Sequence, residues 1–467
     1  MVRIDRRRAA VPALLVVTLL ALAVGLWRDA GAGHPMSVVD EHMHLDTHAR
    51  VHQGTYPHRG SLMSMPVVRE WACGVGHEAG AAMAPCDHPD LGPNSLPSGI
   101  YTTGYIHYPT YFVVGEAYRT VATALGGGSP WIDTYRHYAT VVFLLGVLAC
   151  LAGAWRLGFR GARLLAATLA PVSASAILLY GTIANPQAAA VLCGALIGWS
   201  GLRWVLIGRG FWWLAAATAL GAGIAVVQSL PAGAFMVAAV LALVLQRRGW
   251  ELPGPWRPRW WQVGVLAVIV LTPVVVFGRW ISERATIANS ELYDFVSVSS
   301  WQSIVAGAVG ELSSPHTPWL ESGSLAPGGD ASVVRQMVRA AVQGAPFWLN
   351  VLLFGMLVVV LVGTFRALRA QRTQAHADAA PAPRVLPVLP LIVLSALVTL
   401  ALYPAALRVS NAVNVGIDHP VVARYSMAFT PLLVWLLLLT TRDRPLVGRA
   451  LAVLAAATVL GITAGAW

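Results

Sequence analysis

The sequence predicts an all-α polytopic membrane protein with about 11 transmembrane helices. Of its 467 residues, 57% are hydrophobic and only 11% are charged, whereas soluble domains carry about 25% charged residues. Apolar runs of roughly 20 residues, long enough to cross a bilayer, recur along the chain. Helices satisfy their own backbone hydrogen bonds in lipid, so these runs predict a helical bundle. We find no Walker loop, no GxGxxG motif, no repeat of solenoid period and no soluble domain.

We interpret the chain as one transmembrane domain, 1–467, divided by two long loops. The division is a first span, 10–27; a first outer loop, 28–137; central spans, 138–279; a second outer loop, 280–345; and C-terminal spans, 346–466. The eleven predicted spans are 10–27, 138–156, 163–181, 187–206, 211–228, 232–246, 261–279, 346–365, 386–404, 422–440 and 448–466.

The distribution of charge predicts the orientation. The net charge is +11, and all 32 basic residues are arginines. With the N-terminus in the cytoplasm, the inner segments hold 20 arginines against four acids, and the outer segments hold 12 against 17. This satisfies the positive-inside rule at every loop. The prediction is a multi-pass plasma-membrane protein. Because the arginines follow the loops and no soluble basic domain exists, no nucleic-acid partner is expected.

The first span could instead be a signal peptide, because AGAG at 30–33 resembles a cleavage site. Its apolar stretch is longer than such a peptide needs. Either way, the segment after it lies outside.

The first outer loop opens on a concentrated set of titratable side chains. It carries ten of the 13 histidines and begins with adjacent carboxylates, Asp40 and Glu41. Read as a helix, Asp40, His44, His48 and His52 share one face. Adjacent carboxylates can act as a general base, as metal ligands, or both. The alternatives without a catalytic or metal-binding role are that both carboxylates are solvated loop charges, or that Asp40 caps the following helix.

Cys73 and Cys86 also lie in this loop, 13 residues apart. Because the outer side of a membrane is oxidising, we predict a disulfide between them. Two free thiols are the alternative.

The loop ends with a predicted interfacial helix. Thr110–Leu125 has apolar residues at helical spacing but includes Glu116 and Arg119, and it is too short and polar to span. Farther on, Asn185 can cap the helix that follows Pro186. The second outer loop carries tryptophans that suit an interfacial belt and should contain one or two amphipathic helices.

The order of these elements resembles the GT-C superfamily of membrane glycosyltransferases. In that superfamily, a leading span is followed by an outer loop that opens on Asp-Glu and then His. Asp40-Glu41-His42-Met43-His44 is similar to this opening. A His-x-Pro-x-Tyr element before an interfacial helix resembles His107-Tyr108-Pro109-Thr110-Tyr111. Asn185-Pro186 and Arg424-Tyr425 are similar to weaker recurring features. A second proline after His107 is missing, and the histidine-rich face departs from the pattern.

The resemblance implies a GT-C-like bundle that transfers a sugar from a polyprenyl-phosphate donor to a cell-envelope glycan, lipid or protein on the outer face. An acceptor hydroxyl needs a base, and a phosphate leaving group needs positive charge from arginine, histidine or a divalent ion such as Mg²⁺ or Mn²⁺. Asp40 is the expected base, and Glu41 would position the acceptor or bind a metal. The candidate metal ligands are Asp40, Glu41 and His44. The candidate substrate-binding residues are His44, His107, Tyr108, Arg335, Arg339 and Arg424, the arginines holding the donor phosphate.

Three other classes stay open. A transporter or lipid flippase would place charges at mid-span in matching halves, whereas these charges lie at span edges. A catalytically silent scaffold of an envelope complex would keep the bundle and lose the acids. A membrane zinc hydrolase would use the histidines, but the stripe has no HExxH pattern.

Overall fold

A computed structural model describes most of the chain. The described residues are 6–80, 84–127, 129–288, 301–313, 351, 354–355, 357–366, 369, 384–414 and 421–463.

The described chain is almost entirely helical. The helices, numbered here in chain order, are α1 (Arg6–Ala30), α2 (Glu41–His52), α3 (Met65–Cys73), α4 (Pro109–Ala124), α5 (Trp131–Arg156), α6 (Ala162–Leu169), α7 (Ser175–Leu178), α8 (Ala190–Ile207), α9 (Phe211–Ile224), α10 (Leu230–Arg247), α11 (Trp260–Glu283), α12 (Trp301–Ser313), α13 (Leu357–Arg366), α14 (Val388–Asn414), α15 (Thr430–Thr440) and α16 (Pro445–Thr463). The strands are β1 (Trp250–Glu251) and β2 (Arg384–Val385).

Eight of these helical segments are long and apolar enough to cross a membrane, or nine if one bent pair is a single span. Two further predicted spans, 211–228 and 346–365, overlap the shorter apolar helices α9 and α13. Part of 346–365 lies outside the described residues. The described residues therefore support eight or nine of the eleven predicted spans, and the chain is a multi-pass helical membrane protein.

Loops predicted to share one side of the membrane contact each other. β1 and β2 pair in parallel and join the loops after α10 and before α14, both predicted inner. On the predicted outer side, the Arg284 guanidinium donates to the carbonyl of Tyr56 at 3.0 Å and so joins the two long outer loops. These contacts fit the alternation of spans on which the charge argument depends.

The bent pair consists of Ala162–Val172 and Ser175–Gly181, which meet at 71°. Pro171 lies at the break, where its missing N–H removes a helical hydrogen bond. The Thr140 hydroxyl of α5 donates to the Gly181 carbonyl at 2.6 Å and ties the second half to α5. The bend thereby brings the following segment, with Ala184, to Glu41 at the start of α2.

The bundle core is built from small and branched apolar side chains of nearly all the spans. Gly194 of α8 shows how closely they pack, because an added Cβ would lie 2.0 Å from the carbonyl oxygen of Ala428. A separate apolar cluster lies in the first outer loop, where Val67, Val68 and Trp71 of α3 pack with Leu45 of α2. This second core gives the outer loop a fixed shape on top of the bundle.

Candidate functional site

Asp40 stands at the start of α2 in an unusual backbone conformation. Its φ is 65° and its ψ is 16°, and it is the one non-glycine residue with positive φ among those described. Asp tolerates this left-handed region better than most residues, but the conformation still carries strain. Such strain is concentrated at functional sites. The Asp40 side chain forms no cap on its own helix, so the capping alternative is wrong.

The Asp40 carboxylate instead pairs with Arg424, 384 positions away. The Arg424 Nη2 atom donates to Asp40 Oδ2 at 2.7 Å. Arg424 comes from the 3₁₀ segment Ala423–Phe429, which enters α15. The Asp40 side chain is 48% exposed and that of Arg424 is 15% exposed. A half-exposed carboxylate therefore forms an ion pair with a mostly buried guanidinium.

Glu41, the next residue, lies in a completely different environment. Both it and Arg136 of α5 have fully buried side chains, and they form a two-pronged ion pair at 2.8 and 3.0 Å. The Glu41 carboxylate also accepts from the backbone N–H groups of Ser37, at 2.8 Å, and Ala184, at 3.0 Å. Each carboxylate oxygen thus accepts two hydrogen bonds.

The electrostatics of Glu41 follow from this arrangement. Burial alone would raise the pKa of Glu41, but the Arg136 guanidinium lowers it below the usual 4.5. Arg136 also donates to the carbonyls of His34 and Pro35 at 2.9 and 3.3 Å. Glu41 therefore joins α2, α5, the end of α1 and the segment after the bent span.

These contacts leave no oxygen of Glu41 open to the acceptor or the metal that the sequence analysis assigned to it. Its lone pairs are already used, and its side chain has no exposed surface. The candidate metal set of Asp40, Glu41 and His44 does not fit a shared cation for the same reason. No group of three or more potential ligands was found among the described residues. We derive no step through a cation.

The histidines next to Asp40, buried His44 and partly buried His107, are neutral. His44, one turn along α2, lies against His107 with ring centroids 4.4 Å apart. Burial lowers the pKa of His107 to about 4, although the nearby Asp40 carboxylate opposes this and Arg424 adds to it. Burial lowers the pKa of His44 well below 6.5, and the neighbouring His107 lowers it further. Both imidazoles can therefore donate or accept hydrogen bonds at neutral pH.

The rest of the histidine stripe divides by burial. His48 is fully buried and stacks on Tyr135 with centroids 4.0 Å apart. Burial lowers the pKa of His48 to about 3. His52 is half exposed and contacts Glu116 of α4 at 3.1 Å. The stripe thus runs from the half-exposed Asp40 through a buried centre to a surface contact with Glu116.

The element around His107 fixes the start of α4. Pro109 occupies the first helical position, where its missing N–H is tolerated. The His107 carbonyl accepts from the Tyr56 hydroxyl at 2.7 Å. Tyr108 lies edge-on against Phe277 of α11, with centroids 4.4 Å apart. The structure thus places His107 near Asp40 and directs Tyr108 toward α11. Arg335 and Arg339 lie outside the described residues.

Two features complete the site's surroundings. Cys73 and Cys86 are joined in a disulfide, with sulfurs 2.10 Å apart. Glu116 accepts from Arg119 and Tyr135, and its Oε1 atom lies 3.1 Å from His52 Nδ1. Burial would raise the pKa of Glu116, but these hydrogen bonds lower it to about 2.

Sequence reasoning missed Arg136 and Ala184. Arg136 sits just before a predicted span, where an isolated arginine signals a partner without naming it. Ala184 contributes only its backbone N–H, which no sequence pattern reveals.

One solved structure shows a distant likeness to this chain. It is the crystal structure of ArnT from Cupriavidus metallidurans bound to undecaprenyl phosphate, with a TM-score of 0.44 and 14% sequence identity. The match covers 92% of this chain and 60% of that one, so this chain spans less than two thirds of its length. A likeness at this level carries no argument about the site. No family profile and no curated protein sequence matches the chain.

Proposed function

We propose that the chain is a GT-C-like membrane glycosyltransferase that moves a sugar from a polyprenyl-phosphate donor to a hydroxyl of an envelope acceptor. The observation that carries the proposal is the Asp40–Arg424 pair at 2.7 Å, with Asp40 half exposed at the outer end of the bundle. The sequence resemblance at Asp40–His44 and His107–Tyr111 supports the same conclusion.

The two groups match the two needs of the reaction. Asp40 accepts the proton of the acceptor hydroxyl while the hydroxyl oxygen attacks the sugar C1 atom. The bond from C1 to the phosphate oxygen breaks, and its electrons stay on the phosphate. Arg424 stabilises that charge, because a guanidinium presents its N–H donors in a planar fork that suits phosphate oxygens.

His44 and His107 line the Asp40 side as neutral hydrogen-bonding groups. In this proposal they bind sugar hydroxyls, which need both donors and acceptors. Glu41 takes no part in proton transfer; it holds the segment on which Asp40 stands.

The test is sugar transfer by the purified full chain from a panel of radiolabelled polyprenyl-phosphate monosaccharides, with donor binding measured in parallel. Asp40→Asn should lower the transfer rate by about 10²–10⁴-fold and leave donor binding intact. Arg424→Lys should weaken donor binding by about tenfold or more, because a point charge replaces the fork of donors. Asp90→Asn, in an exposed loop, is the matched control.

Two outcomes would contradict the proposal. Near-normal transfer by Asp40→Asn would remove the catalytic assignment. A folded wild-type chain that transfers sugar from none of the donors would favour the silent-scaffold alternative.

A further inference from the structure

A groove runs along the predicted cytoplasmic half of the bundle. It lies at the end of α5, whereas the Asp40 site lies near the start of α5. It lies between the start of α1, the end of α5 and the start of α6, and has a volume of about 890 Å³. That lies toward the upper end of the range for ligand pockets, about 300–1,000 Å³. Its walls are apolar and include Leu15, Leu148, Leu151 and Trp155.

Two arginines line one end of the groove. Arg156 ends α5, and Arg160 follows in the short loop before α6. Both side chains are exposed. The Arg160 guanidinium lies 4.0 Å from the centroid of the Trp155 ring, and it donates to the Trp155 carbonyl at 2.8 Å. The Arg160 guanidinium is therefore held against the Trp155 ring at this end of the groove.

The combination of an apolar channel and a cationic end has a physical consequence. An apolar groove in the membrane takes a hydrocarbon chain, and arginines at its aqueous end attract a negative headgroup. Arg156 and Arg160 make this end of the groove positive.

We propose that this groove binds an anionic phospholipid of the inner leaflet, with an acyl chain along Leu148 and Leu151 and the phosphate against Arg156 and Arg160. The site is separate from the proposed reaction. The reaction site lies at the opposite end of α5, where Arg136 and Glu41 meet, so the lipid in this groove is not the sugar donor.

The experiment uses the purified full chain in a non-ionic detergent. Native mass spectrometry measures the binding of phosphatidylglycerol and of phosphatidylcholine with identical acyl chains. The variants are the double variant Arg156→Gln/Arg160→Gln and the groove-filling variant Leu148→Trp. The control is Arg247→Gln/Arg248→Gln, at the end of α10 on the same predicted side, where Arg247 also stacks on a tryptophan.

We expect phosphatidylglycerol to bind more tightly than phosphatidylcholine. Because each arginine near an anionic headgroup contributes about fivefold, losing both should weaken phosphatidylglycerol binding by roughly 20- to 30-fold. The control pair should change it by less than about twofold. Leu148→Trp, at a side chain that is 52% exposed, should weaken binding of both lipids while the charges stay.

Three results would overturn the proposal. The first is equal binding of the two phospholipids. The second is an equal loss in the control pair and the groove pair. The third is displacement of phosphatidylglycerol by an equimolar polyprenyl phosphate, which would assign the groove to the donor lipid. The thermal unfolding temperature of each variant confirms that lost binding does not reflect lost folding.

Discussion

Replacing Glu41 by Gln tests whether the second acid of the pair is structural. The substitution preserves shape and removes one charge. Glu41 Oε1 accepts from Arg136 and Ala184, and Oε2 accepts from Arg136 and Ser37. Whichever way a Gln amide is turned, its NH₂ group faces two N–H donors. Arg136, fully buried, then loses its counter-charge.

The size of the effect follows from this geometry. Removing one partner of a buried ion pair destabilises a protein by about 3–5 kcal/mol. If all 467 residues unfold together, the entropy of unfolding scales with length, and 1 kcal/mol shifts the unfolding temperature by about 1 °C. Glu41→Gln should therefore lower the unfolding temperature of the purified chain by about 3–5 °C.

The control is the same substitution in an exposed pair. Arg279 and Glu283 lie 2.7 Å apart, with side chains 80% and 58% exposed. Exposed pairs contribute about 0–1 kcal/mol, so Glu283→Gln should shift the unfolding temperature by less than about 1 °C. The double variant Glu41→Leu/Arg136→Met removes both charges and should unfold at a higher temperature than either single variant. A Glu41→Gln protein that unfolds like the wild type would refute this reasoning.

Three further predictions concern the outer loop and the topology. Removing the disulfide with Cys73→Ser/Cys86→Ser should destabilise the chain by roughly 3 kcal/mol; mass mapping that finds both thiols free in protein taken from the envelope would contradict the pairing. His48 has a native pKa of about 3 against 6.5, so its contribution to stability is complete above about pH 6.5 and is lost as the pH falls toward 3. His48→Phe should flatten the fall in unfolding temperature between pH 7 and pH 5, and an unchanged slope would reject this. A cysteine replacing Trp250 should resist labelling from outside intact cells, and labelling there without permeabilisation would reverse the topology.

The positions of the spans could be read from the sequence because the bilayer imposes length and hydrophobicity directly. The predicted interfacial helix at Thr110–Leu125 differs by one residue at each end from the observed Pro109–Ala124. Asn185 was expected to cap the following helix, and its side chain accepts from Gln187 N–H at 2.9 Å, so that prediction is confirmed. These features depend on short-range chemistry, which a sequence records.

The partners of the two acids could not be read in the same way. Arg424 was one of three arginines that the sequence could not distinguish, and only the fold brings it to Asp40. Glu41 was assigned to the acceptor or a metal, and its buried position could not be read from the sequence because adjacency says nothing about burial. A residue's exposure depends on elements that arrive from far along the chain, here α5 and the segment after the bent span.

The two acids differ because of where α2 begins. Asp40 precedes the helix in the left-handed region and Glu41 is its first residue, so the two side chains leave the backbone in different directions. The Glu41 carboxylate accepts four hydrogen bonds, and they fix the first turn of α2 against α5. Asp40 lies immediately before this fixed turn. Its left-handed backbone conformation directs the carboxylate to Arg424 instead of to the N–H groups of its own helix. The buried acid therefore supplies the rigidity that keeps the open acid in a strained position, and a site built this way needs both residues for different reasons.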